Sequence, residues 1–295
     1  AHSRDQSTMS ASLSDAALSQ QIETMMVEQN PRGMQHLYAK QLTGTYLRAA
    51  KYLYKVQGTV LIGTGFAVNN TFETDGPVGA IALYKVLKKL GKQPLLVTGN
   101  PLYSALKNDF NCFELPINSI DNAHTFSIKA LAQLKPDCVL SIERPGLNEH
   151  QRYYNMRGID ISEHCGCFDF FVTEAPCPTI AIGDGGNEIG MGNLAQHMQA
   201  LNIIPCLTPC DELLLADVSN WAAYGLIAFL SRWHNTDLLA DIEPLNILHY
   251  LSERGSVDGV THKNELTEDG LHAMHGQQLI TRLRQLGGFT TENEV

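Results

Sequence analysis

The sequence predicts an α/β fold: a Rossmann-like, mostly parallel sheet flanked by helices, with helical N-terminal and C-terminal additions. Two observations predict it. Short apolar runs of strand length alternate with segments of helical periodicity through the middle of the chain. Four of those runs stop at glycine or polar clusters, near Gly65, Glu143, Gly183 and Val218. In open parallel sheets, ligands bind at such strand ends.

Taken in order, residues 1–57 read as a helical N-terminal extension. After a start rich in Ser, Ala and Gln, residues 20–29 and 31–55 place Met25, Met26, Leu37, Tyr38, Leu42, Leu47 and Tyr52 at helical intervals. The first strand is TVLIGTGF, residues 59–66. Its GxG lacks the third glycine of a dinucleotide fingerprint and is weak as one. Residues 73–80, ETDGPVGA, follow, with Pro77 at the first position of a helix to about residue 90. Further strands are expected at 93–99, 112–115, 137–142, 179–182 and 213–218. Helices are expected from residue 101, over 122–134 and over 221–233. Residues 237–287 read as mostly helical, interrupted by a Gly/Asp loop at 255–261. With no repeat, low-complexity tract or linker, the whole chain, 1–295, reads as one domain.

Composition narrows the function classes. The 295 residues carry a formal net charge of -10, from 31 acidic and 21 basic side chains. Bulk charge therefore argues against grip on nucleic acid or an anionic membrane. The longest apolar stretch, 221–230, is too short to cross a bilayer. No secretory pattern opens the chain, and seven cysteines suit reduced thiols, so a cytoplasmic location is expected. His164, Cys165 and Cys167 with Cys177, or Cys206 with Cys210, lack the spacing of a zinc set; free thiols are the better reading.

The stretch that organises the rest is IAIGDGGNEIGMGN, residues 180–193. Gly183, Gly185 and Gly186 around Asp184 allow backbone angles that other residues resist. Asn187 and Glu188 fit the N-cap and first turn of a helix running to about residue 201. Strand, glycine turn and helix would put backbone N–H groups, a helix N-terminus and two carboxylates at one sheet edge. Glu73, Thr74 and Asp75 line a neighbouring strand end, where Asp75 serves equally well as a helix cap. Glu143 and Arg144 end another strand, and YYNMRGIDIS, residues 153–162, adds Asn155, Arg157 and Asp160. Asp258 and His262 are weaker candidates, and surface solvation accounts for them.

Six segments in order carry a resemblance: ETDGPVGA (73–80), ERPG (143–146), YYNMRGIDIS (153–162), IGDGGNEIGMGN (182–193), VSNWAAYGL (218–226) and VDGVTHKNE (257–265). Together they resemble the D-glutamate cyclase C-terminal domain family, from about residue 58 to the end. The resemblance implies a carbon–oxygen lyase that dehydrates D-glutamate to 5-oxo-D-proline, with a small amino acid as partner. That chemistry needs a base for the amine, positive partners for the substrate carboxylates and donors for an oxyanion. Asp184 or Glu188 is the candidate base. Arg144 and Arg157 are candidate clamps, oriented by Glu143, Asn155 and Asp160; structural ion pairs are their plainer explanation. The 183–186 turn supplies candidate oxyanion donors, and Thr74, Asp75 and Asn187 complete the wall. No cofactor is expected. A divalent cation such as Mg2+ is the alternative to a protonated acid if Glu73, Asp75, Asp184 and Glu188 converge. A nucleotide or phosphorylated-metabolite binding protein, or another amino-acid lyase on the same scaffold, is the alternative function. Neither nucleic acid nor membrane is expected as partner, and a homo-oligomer is left open.

Overall fold

The structure is a computed structural model that describes residues 13–290; the Ser-, Ala- and Gln-rich start of the chain lies mostly outside them. Six strands form one parallel sheet: β1 (Thr59–Thr64), β2 (Gln93–Thr98), β3 (Cys112–Glu114), β4 (Cys138–Ile142), β5 (Thr179–Gly183) and β6 (Glu212–Leu215). Their spatial order is β3-β2-β1-β4-β5-β6, that of a doubly wound sheet. The order reverses between β1 and β4, so a crevice is expected outside their carboxyl ends. Register keeps the strand ends level: Thr64 lies opposite Ile142, Ile142 opposite Ile182, and Gly183 opposite Leu215.

The strands read clearly because both of their faces are buried. Val60, Ile62, Leu140, Ile142, Ile180 and Ile182 face one core, which the helices Asp15–Met26, Thr45–Lys55, Pro77–Lys89 and Ser219–His234 complete. Leu61, Val97, Val139 and Ala181 face the other core, against Phe168, Phe171 and Met191. Successive strand residues thus alternate between two apolar layers. Truncating a fully buried leucine such as Leu226 to alanine would cost about 2–5 kcal/mol. Among the described residues, no helix is long and apolar enough to cross a membrane.

Three expectations need correction. The segment after Glu188 is not an α-helix: it forms 3-10 turns at Met191–His197 and Gln199–Leu201. Residues 187–189 are held instead by the 144–146 loop, with Gly146 N donating to Asn187 O at 2.9 Å and Ile189 N to Arg144 O at 3.0 Å. Gly190, at φ 98, then turns the chain in a way a helix cannot use. The segment 31–55 is split into Met34–Tyr38 and Thr45–Lys55. Near the end of the chain, Pro244–Ser252 and Ala273–Leu286 flank a longer non-helical region containing the antiparallel pair Thr267–Glu268 and Leu271–His272.

Candidate active site

The level strand ends deliver acids to one place. Glu73 and Asp75 arrive on the chain after β1, Glu143 directly after β4, and Asp184 and Glu188 after β5. Carboxylate oxygens of Glu73, Asp75 and Glu143 lie within 4.8 Å of one another. So do those of Asp75, Asp184 and Asp269, and those of Glu143, Asp184 and Glu188. Two full charges at 4.8 Å repel by about 3.5 kcal/mol even at an effective dielectric of 20. This group is buried, so some of its members hold protons or face a cation.

The long helix Ser219–His234 starts at this cluster. Ser219 N donates to Asp184 Oδ2 at 3.1 Å and Asn220 N to Asp75 Oδ1 at 3.0 Å. First-turn N–H groups have no partner within a helix, and the macrodipole favours anions there. Ser219 Oγ donates to Glu143 Oε1 at 2.7 Å. The Asn220 amide ties three segments: its oxygen accepts from Gly76 N at 2.7 Å and Gly79 N at 2.8 Å, and its nitrogen donates to Thr74 O at 3.1 Å and Glu268 Oε1 at 2.8 Å. Gly76 sits at φ 110, where a Cβ would stand 3.0 Å from both Thr64 Oγ1 and Glu143 Cβ. Glu143 itself has φ 53, a left-handed conformation that costs a non-glycine residue roughly 1–2 kcal/mol. Such residues cluster at functional sites.

Glu188 turns back on its own loop. Its carboxylate accepts from Asp184 N at 2.7 Å, Gly185 N at 2.9 Å and Gly186 N at 2.7 Å. The N–H groups expected to bind an oxyanion are therefore taken by the chain's own acid.

Arg32, from the N-terminal segment, is the cation bonded to this cluster among the described residues. Its Nε donates to Asp184 O at 2.9 Å and its terminal nitrogen reaches Asp217 O, Asp269 Oδ2 and, at 3.5 Å, Asp184 Oδ2. Burial works against its charge, but Asp184 and Asp269 outweigh that and hold it above the ordinary arginine range. Burial, then Asp184, pushes Glu73, Asp75 and Glu143 well above the usual carboxylate range. Asp269 is raised to about 7 by burial and Asp184, against the pull of Arg32. Asp184 is also raised by burial, while Arg32 and the contact with Asp75 oppose the shift.

The other sequence candidates fall elsewhere. Arg144 is buried, but it spans Gly65 O at 3.1 Å and Gly166 O. It faces a separate cavity lined by Gly65, Thr98, Asn100 and His164. Arg157 is exposed, and Asp160 pairs with Arg152 at 2.8 Å. Asn155 holds its own turn, accepting from Arg157 N and Ile159 N at 3.0 Å each. Thr74 donates to Thr267 O at 2.8 Å. Asn187 donates to Tyr154 O at 3.0 Å, which fastens the 153–162 loop to the glycine turn. Asp258 organises its own loop, accepting from Val260 N, Thr261 N, Gly270 N and Thr267 Oγ1. All seven cysteines are unpaired and none joins a group of metal-ligand spacing among the described residues. Sequence reading missed Arg32, Asp269, Ser219 and Asn220. The signal for the last two was their position directly after an apolar run, at a helix start.

A family model described as D-glutamate cyclase-like, C-terminal, matches residues 22–284. The human mitochondrial D-glutamate cyclase is 30% identical over 248 residues, covering 75% of this chain and 40% of that protein. This chain thus spans less than half the length of that relative. Two solved structures are similar at lower levels. An exopolyphosphatase-related protein from Bacteroides fragilis gives a TM-score of 0.41 at 10% identity, over 84% of this chain and 62% of that one. A glycosyltransferase from Rickettsia africae gives 0.29 at 17% identity, over 43% and 30%.

Proposed function

The chain belongs to the D-glutamate cyclase-like, C-terminal family, and from that membership and the buried acids we propose that it closes D-glutamate to 5-oxo-D-proline with loss of water. The observation that carries this reading is the side-by-side pair of Asp75 and Asp184, in contact with each other but in unequal surroundings. The reaction moves two protons from nitrogen to oxygen. The substrate ammonium gives up both, and the departing γ-oxygen takes both to leave as water. A site for this needs one carboxylate that accepts and one carboxyl that donates.

Asp184, beside Arg32 and the Ser219 N–H, is the better acceptor. Among the described residues no cation contacts Asp75, which keeps its proton to higher pH. A raised carboxyl beside an ionised one is how acid and base roles separate at neutral pH. Asp184 takes the amine proton, nitrogen attacks the γ-carbon, and Asp75 gives its proton to the oxygen that departs. The C–N bond forms, the C–O bond breaks, and the second proton follows the same route. Glu188, held by three N–H groups, positions the Asp184 loop. The phosphate-binding alternative gains nothing from these acids, which repel phosphate. Proton NMR of the purified protein with D-glutamate tests the reading. Ring signals that grow with the unmodified protein, and not with folded Asp184→Asn, support it. D-glutamate left unchanged by folded protein overturns it.

A further inference from the structure

Arg144 is a buried cation that the acid cluster does not use. Only 4% of it is exposed, and among the described residues no carboxylate pairs with it. Its partners are two backbone carbonyls, Gly65 O at 3.1 Å and Gly166 O. A guanidinium has five N–H donors; two carbonyls do not occupy them, and Nε is buried without a partner. Buried charges are ordinarily paired. The cavity that Arg144 lines is small, about 130 Å³, a size that admits one benzene-sized molecule. Among the described residues, no Asp or Glu lines it, in a chain of net charge -10. Donors do. Asn100 Oδ1 already accepts from Ser104 N at 3.0 Å and Ser104 Oγ at 2.6 Å, which leaves the amide nitrogen to donate. Gly65, at φ 112, keeps the space open: a Cβ there would come within 2.9 Å of Thr98 Oγ1 and 3.8 Å of Arg144 Nη1. The same chain segments serve the acid cluster. Glu143 directly precedes Arg144, and Phe72, which lines the cavity, directly precedes Glu73.

We propose that this cavity binds the carboxylate of a small organic acid on the Arg144 guanidinium, with the Asn100 amide as a second donor. A planar carboxylate matches the guanidinium fork and takes two parallel N–H bonds from it. Leu102 and Ile117 give an apolar wall for the carbon skeleton. One cation offsets one negative charge. A carboxylate leaves the spot neutral, whereas a phosphate dianion leaves excess negative charge close to Glu73 and Glu143. The site stands without the cyclase reading. Under that reading the bound carboxylate is the one that ring closure leaves unchanged. The ring product carries it too, and so competes with the substrate for the cavity.

The test reads binding and not turnover. Acetate, 5-oxo-D-proline and inorganic phosphate are titrated at constant ionic strength. Calorimetry gives affinity, and the Nε–H signals of protein labelled with 15N-arginine show where the ligand sits. Both carboxylates are expected to shift one Nε–H signal saturably, the signal that Arg144→Lys removes, and phosphate is expected to bind more weakly than either. Asn100→Asp keeps the acceptor that Ser104 uses and adds a negative charge. It should weaken both carboxylates by at least about tenfold, as like charge does in a binding site. Lys51→Gln, at an exposed position of the Thr45–Lys55 helix, should change neither. Acetate as tight as 5-oxo-D-proline would mark a site for carboxylates at large; tighter 5-oxo-D-proline would mark the ring acid as its occupant. No saturable shift of that signal with either carboxylate, phosphate tighter than both, or undiminished binding by folded Asn100→Asp overturns the proposal. Carboxylate binding without conversion of D-glutamate would keep the site and remove the cyclase reading; conversion without binding would do the reverse.

Discussion

Asp169 and Glu73 are both buried carboxylates, and their surroundings differ in kind. Asp169 accepts from Leu147 N at 2.9 Å, from the Tyr153 hydroxyl at 2.6 Å and from the Thr208 hydroxyl. It fastens three loops and has donors on both oxygens. Asp258 is similarly supplied by three backbone N–H groups and a hydroxyl. Among the described residues no donor reaches the Glu73 carboxylate, and Glu143 has a single hydroxyl donor. A buried acid with its full set of donors is a structural tie. A buried acid without them is stable only if a proton, a cation or a substrate completes it. Burial alone does not distinguish the two kinds; the count of donors does.

The largest effect that would break this comparison is on chemistry. Asp184→Asn should lower cyclisation by roughly 10²–10⁴-fold, the range for loss of a general base, with the melting temperature kept or raised. NMR turnover and calorimetry check it; near-normal turnover would return Asp184 to the structural class.

Next comes pH. Glu268 is fully buried, and burial lifts its carboxyl to about 7 from 4.5 against the opposing pull of Asn220 and Trp221. The folded pKa lies above the unfolded one, so the folded state holds the extra proton. Stability should therefore fall as pH rises from about 4.5 through about 7, by about 3 kcal/mol from this group. Glu268→Gln should remove that share of the slope in urea unfolding at pH 5 and pH 8. An unchanged slope would refute the assignment.

Asp169→Asn tests the opposite class. It should cost about 1–3 kcal/mol of stability, because an amide faces donors that the carboxylate satisfied, while turnover per folded molecule stays near normal. The smallest effect concerns Gly259, where a Cβ would stand 1.7 Å from Glu73 Oε2. Gly259→Ala should swing that carboxylate aside and cost about 1–2 kcal/mol, read in urea unfolding. Unaltered stability would show that Glu73 is not fixed by this contact.

Much of this was legible in the sequence, for physical reasons. The strands were, because burial on both faces makes them continuous apolar runs. Asp75, Glu143, Asp184 and Glu188 were, because each follows such a run beside a glycine-rich or sharp turn. Arg32 was not: it meets Asp184 across 152 positions, and no local pattern encodes that contact. Asp269 meets Arg32 across 237 positions. The helix expected after Asn187 failed because Asn-Glu after glycines has the composition of a cap. Here the Glu188 side chain bonds to N–H groups that precede it, closing a loop where a helix would begin. Arg144 and Arg157 were read from their charge, but one meets backbone carbonyls and the other meets solvent.

Asn220 has a consequence for how the site moves in time. Helix starts ordinarily fray, and their amide hydrogens exchange with water in fast local openings. The amides of Gly76, Gly79, Ser219 and Asn220 instead donate to buried side chains, two of them to the Asn220 carbonyl and two to Asp184 and Asp75. Their deuterium uptake should be as slow as that of the central strands. The acids would then be held in register by the most persistent part of the molecule, and the cluster would come apart only when the fold does.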